Sequence, residues 1–90
     1  MITTFKSSFL RDIKKVRDKK AKALIKRVIL SVETAKTLKD IPHLEGLVST
    51  KPYYKIKTPP YRFGIAIDGN TVIFVKFGTR ENFYRDFPPK

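Results

Sequence analysis

Residues 53–77 read YYKIKTPPYRFGIAIDGNTVIFVKF: three apolar-rich alternating runs punctuated by Pro59-Pro60 and by Asp68-Gly69-Asn70. Side chains alternate between faces along a strand, so Tyr53, Lys55 and Lys57 share one face and Tyr54 and Ile56 the other. The spacing predicts strands over Tyr53–Lys57, Tyr61–Ile67 and Thr71–Phe77. If the first two pair as an antiparallel hairpin, Lys57 falls opposite Arg62, Lys55 opposite Gly64 and Tyr53 opposite Ala66. One face is then cationic and open, while Tyr54, Ile56, Tyr61, Phe63, Ile65 and Ile67 form a core layer on the other. Like charges directly opposite destabilise a bare sheet, so Lys57 beside Arg62 points to an anionic ligand.

The two turns differ in kind. Asp-Gly-Asn is a hairpin signal, whereas Pro60 restricts Pro59 and calls for a wider loop or a cis Pro60. A two-residue loop at Asp-Gly-Asn sends Val72, Phe74 and Lys76 to the core layer; a three-residue loop sends Thr71, Ile73, Val75 and Phe77 there. Burying Lys76 unpaired is costly. The three-residue loop is therefore expected, with Lys76 on the cationic face and Arg80 aimed to the same side.

Upstream, Met1–Phe5 suits a short strand, and Ser7 or Ser8 can cap a helix of about three turns in which Phe9, Ile13 and Val16 share a face. Asp18 is a candidate N-cap for a second helix, whose Ala21, Leu24, Ile25, Val28, Ile29 and Val32 make a wide apolar stripe to about Ala35. Leu38–Lys51 loses periodicity around Pro42 and Gly46 and reads as a connecting loop. The expected fold class is α+β: a short N-terminal strand and a two-helix hairpin packed on a mainly antiparallel sheet of about four strands. Beyond Gly78 the sequence TRENFYRDF can make at most a short turn of helix before Pro88-Pro89.

Ninety residues suit one domain, 1–90. Twenty Lys and Arg against eight Asp and Glu give a net charge of +12, a field that favours polyanions. No stretch approaches a membrane span, and the N-terminus lacks the apolar core of a secretory signal, so a cytoplasmic protein without membrane contact is expected. The chain has no cysteine and a single histidine, His43, which argues against thiolate zinc sites and nucleophile triads. Four glycines, none forming a phosphate loop, argue against nucleotide hydrolysis. No metal or other cofactor is expected.

The order of these pieces resembles the RelE-type toxins of bacterial type II toxin-antitoxin systems, in the RelE/ParE superfamily. The resemblance runs from Thr4 to Pro88 and is strongest from Tyr53 to Tyr84: an aromatic before the basic pair Lys55 and Lys57, Tyr61-Arg62 opening the next strand, and Gly78-Thr79-Arg80 with Tyr84 at the end. Thr79 stands where many relatives carry histidine, Val48-Ser49 where relatives tend to have Lys-Gly, and Pro59-Pro60 where they have Gly-Asp. What the resemblance implies is an mRNA interferase that cleaves ribosome-bound message and is silenced by a cognate acidic antitoxin. Its catalytic positions map onto Lys55, Lys57, Arg62, Arg80 and Tyr84, with Lys51, Tyr53, Lys76 and Arg85 as further RNA-binding candidates.

RNA carries its own nucleophile, the 2′-hydroxyl, so cleavage needs a base, a phosphate clamp and an acid for the 5′-oxygen. Lys55 or Lys57 can serve as base if like-charged neighbours depress its pKa. Arg62 and Arg80 suit bidentate contact with phosphate, and Tyr84 can stack on a base or exchange a proton. His43 reads as a surface residue. Nine Lys and Arg between Arg11 and Arg27 make a solvated helix face that also suits contact with ribosomal RNA phosphates. Two other readings remain: a ParE-like toxin that poisons gyrase without chemistry of its own, and a noncatalytic RNA-binding module.

Overall fold

The computed structural model describes residues 1–46 and 52–88, apart from the side chains of Arg85 and Asp86. The chain runs β1 (Ile2–Phe5), α1 (Ser7–Lys14), α2 (Lys19–Thr34), a 3-10 turn (Leu38–Asp40), β2 (Leu44–Gly46), β3 (Tyr53–Thr58), β4 (Tyr61–Asp68), β5 (Thr71–Thr79) and α3 (Arg80–Asp86). The strands form one sheet in the order β1-β5-β4-β3-β2. β1 is parallel to β5, and the other pairs are antiparallel. The α+β class is as expected, with five strands rather than about four. The additional strand is β2, in a stretch expected to be loop. Three residues carry too little alternation to be recognised alone, and pairing of Leu44, Glu45 and Gly46 with Ile56, Lys55 and Tyr54 makes them a strand.

α2 begins where Asp18 accepts a hydrogen bond from the Lys20 amide at 3.1 Å. α1 departs from expectation: it is shorter, its N-cap position is Lys6, and it has no side-chain cap. Ser8 instead donates its hydroxyl to the Val75 carbonyl at 2.6 Å, tying α1 to β5. Phe9 of α1 and Ile25, Val28 and Val32 of α2 bury against Ile56, Phe63, Ile65, Val72, Phe74 and Phe77. This is the principal core, on one face of the sheet. Among the described residues no helix is long and apolar enough to cross a membrane.

The β3–β4 register pairs Lys57 with Arg62, Lys55 with Gly64 and Tyr53 with Ala66, as the alternation of the two strands requires. Thr58 pairs with Tyr61 across a cis Pro59–Pro60 bond. The β4–β5 turn corrects the expected three-residue loop. Asp68 pairs with Thr71, leaving only Gly69 and Asn70 between them, and Gly69 adopts a left-handed φ of 60°. That register alone would bury Lys76. A β-bulge prevents it: Ile65 pairs with Phe74 but Gly64 with Lys76, so Val75 has no partner and the side-chain phase of β5 changes there. Val72 and Phe74 before the bulge, and Phe77 after it, all reach the principal core.

Beyond the end of β1, Asp12 of α1 takes over the edge of β5. Its Oδ2 accepts the Phe77 amide at 3.0 Å, and its Oδ1 lies 3.5 Å from the Lys76 ammonium. Removing the carboxylate would leave a strand-edge N–H and an ammonium without this acceptor. Asp12→Ala is expected to cost about 1–3 kcal/mol, read as a lower unfolding temperature. Asp12→Asn, which keeps an acceptor oxygen but not the charge, should recover part of the loss.

Candidate functional site

The second face of the sheet is only partly open. Ala66 and Val75 bury beneath Phe83 and Phe87 of the C-terminal segment, with Tyr53 and Ile73 packed at the margin. Tyr53, expected on an exposed cationic face, meets the edge of Phe87 at 5.5 Å between ring centroids. The expectation of a wholly open face is therefore corrected: "FYRDF" places aromatic residues four apart, and a short helix turns both inward. Phe83 and Phe87 are 0% and 2% exposed.

At the edge of this second core, three expected site residues converge. The Lys55 ammonium donates to the Tyr84 hydroxyl at 2.6 Å and lies 5.2 Å from the centre of its ring. The Arg62 guanidinium carbon is 5.8 Å from the same centre. Tyr84 remains 45% exposed while its ring meets Phe83 edge-on at 5.1 Å. Glu45, a residue that sequence reasoning missed, lies 3.4 Å from Lys55. It follows from β2, which puts Glu45 opposite Lys55; no pattern in the sequence would have placed it there.

Arg62 is 8% exposed, and its Nε is buried without a hydrogen-bond partner among the described residues. A buried guanidinium with an unmet donor is costly and favours an anion. Lys57 faces the same side, opposite Arg62, and is exposed. Arg80 opens α3 and is also exposed. Neither makes a side-chain hydrogen bond or ion pair with the Lys55–Arg62–Tyr84 cluster among the described residues. Lys76, assigned from sequence to RNA binding, turns to Asp12. Lys51 and the Arg85 side chain lie outside the described residues.

The electrostatics reverse one expectation. The Tyr84 hydrogen bond, with its attraction and that of Glu45, raises Lys55 above the ordinary lysine value despite partial desolvation. Tyr84 is lowered from the ordinary tyrosine value, first by the hydrogen bond from Lys55 and then by its charge and that of Arg62. Lys55 is thus held as a cation. The neighbouring cations did not depress it because its shorter-range partners are a hydroxyl and a carboxylate. The phenol is the group made easier to deprotonate. Among the described residues no group of three His, Cys, Asp or Glu side chains comes together to hold a metal ion.

A buried guanidinium, a fixed ammonium and an acidified phenol around one exposed spot can hold an oxyanion and accept a proton beside it. No family model matches the chain. Toxin RelE3 of Methanocaldococcus jannaschii is 30% identical over 89 residues, which cover 98% of this chain and 100% of that protein. The RelB-RelE antitoxin-toxin complex from Methanococcus jannaschii contains a chain 27% identical, with a TM-score of 0.79 over 94% of this chain and 99% of that one. The toxin-antitoxin complex RelBE2 from Mycobacterium tuberculosis has a chain of the same fold at 17% identity and a TM-score of 0.70, covering 88% of this chain and 96% of its own.

Tyr84 should titrate below an ordinary tyrosine in a pH series of ring-carbon NMR shifts, with its signal assigned by loss in Tyr84→Phe. Lys55→Ala removes the largest cause of the shift and should move that titration to higher pH.

Proposed function

This chain belongs to the RelE family of toxins, and from that membership we propose that it is an endoribonuclease cleaving ribosome-bound messenger RNA, the toxin half of a type II toxin-antitoxin pair. The observation that carries the nuclease reading is Arg62, a buried guanidinium with an unmet Nε beside the ammonium of Lys55 and the phenol of Tyr84. Among the described residues no carboxylate neutralises it. A phosphodiester would supply the missing anion.

In this mechanism the scissile phosphate sits against Arg62, and Tyr84 rather than Lys55 takes the proton from the 2′-hydroxyl. Lys55 stabilises the phenolate through its hydrogen bond and adds positive charge near the pentacoordinate phosphate. The 2′-oxygen forms its bond to phosphorus as the bond to the 5′-oxygen breaks, giving a 2′,3′-cyclic phosphate and a 5′-hydroxyl. Lys57, exposed beside Arg62, is the candidate donor to the departing 5′-oxygen. Arg80 binds a flanking phosphate when the message docks. The reaction takes place on translating ribosomes in the cytoplasm.

The partner follows from charge. With +12 overall, the toxin attracts an acidic antitoxin, and the similar Methanococcus jannaschii chain is solved in an antitoxin-toxin complex. An acidic segment across the Lys55–Arg62 face would block the phosphate site. Its association should slow and weaken as salt rises, because exposed charges are screened within about 10 Å at 0.1 M salt; a neighbouring-gene product that does not bind at low salt would count against this pairing.

Ribosomes programmed with a defined message, followed by mapping of RNA ends, test the activity. Cleaved message ending in 2′,3′-cyclic phosphate is expected, and Arg62→Ala should lower the rate about 100-fold or more. If Tyr84 is the base, cleavage increases with pH as the phenol deprotonates, and Lys55→Ala moves that rise to higher pH. Growth arrest with intact message and inhibited gyrase would instead establish the ParE-like reading.

A further inference from the structure

One row of the sheet places Lys55, Gly64 and Lys76 side by side on the second face. Two long cationic side chains thus flank a position with none. The ring of Phe87 fills it. A Cβ built on Gly64 would meet three carbons of that ring at 2.7, 2.8 and 2.9 Å, too close for either to stay in place. Only glycine admits the ring onto the backbone here. From Phe87 the packing continues to Phe83 at 5.0 Å between centroids, and from Phe83 edge-on to Tyr84 at 5.1 Å. The Phe87 amide also donates to the Phe83 carbonyl at 3.1 Å, closing the last turn of α3.

We propose that Gly64 and Phe87 form a latch that positions Tyr84: the ring seated on the glycine fixes the rotation and height of α3, and α3 holds the phenol against Lys55 and Arg62. α3 has seven residues, too few to be stable alone. Its placement depends on what it packs against. Tyr84 is itself 45% exposed, so its own ring gains little from burial. The two buried phenylalanines do the holding. Phe87 touches no reacting atom, and acts through Phe83 and the helix as a positioning residue. A displacement of about 1 Å at the base is enough to cost on the order of 100-fold in rate. The kinetic part of this inference rests on the nuclease reading, whereas the geometric part does not.

The test uses the full chain and reads the Tyr84 ring-carbon titration, which needs no RNA. In Phe87→Ala and in Gly64→Ala it should move up toward the ordinary tyrosine value as the Lys55 hydrogen bond is lost. Val72→Ala, in the principal core, should lower the unfolding temperature without moving it. The double variant Gly64→Ala with Phe87→Ala should be no worse than Phe87→Ala alone, because a methyl at 64 obstructs only the ring that has been removed. If Phe87→Ala does not fold, Phe87→Leu keeps the apolar volume and carries the same expectation at smaller amplitude. On programmed ribosomes the latch variants should lose about 100-fold in kcat, with KM within about twofold of the original. An unmoved Tyr84 titration in the folded latch variants, or additive effects in the double variant, would overturn the latch. A wild type that cleaves no message overturns the nuclease reading instead, and leaves the titration to decide the latch.

Discussion

The unpaired residue Val75 is the constraint on which the two faces of this protein depend. With Gly69 and Asn70 as a two-residue turn, strict alternation along β5 would carry Lys76 into the principal core and Phe77 out of it. The bulge changes the phase once, between Phe74 and Lys76, and every later side chain moves to the opposite face. Phe77 then packs edge-on to Phe63 at 4.9 Å. Val75 is turned to the second face, where Phe83 and Phe87 close over it. The same residue offers its carbonyl to Ser8, so the point where the sheet is irregular is also a point where α1 is attached.

The second core gives the charged residues their character. A sheet face carrying Lys55, Lys57 and Arg62 alone would be a solvated surface whose cations keep apart. Packing Phe83 and Phe87 onto it brings the Tyr84 phenol to Lys55 and its ring to the buried Arg62. Desolvation strengthens whatever Coulomb interaction remains. The short helix therefore gathers into one cluster residues that the sheet merely aligns. Glu45 tempers that site from the sheet's edge, where β2 holds it beside Lys55. The cationic helices lie on the far side of the sheet, and their exposed lysines add to the field without entering the cluster.

Much of this was legible in the sequence because strand alternation is a local property. The pairs Lys57 with Arg62 and Lys55 with Gly64 follow from where two strands meet at Pro59-Pro60, and the Asp18 cap and the apolar stripe of α2 follow from residues a turn apart. The sequence could not reveal the bulge, since either loop length at Asp-Gly-Asn leaves some residue misplaced, and only packing against the helices selects the third solution. It gave no sign that Asp12 would claim Lys76, sixty-four residues away. Nor could it show that Lys55 is raised and Tyr84 lowered: that outcome needs a hydroxyl within 2.6 Å of an ammonium, which α3 supplies by folding back. The chain alone determined which residue types share a face; the tertiary structure decided which of them lose water and whom they meet, because desolvation and contact between distant segments exist only once the segments have packed.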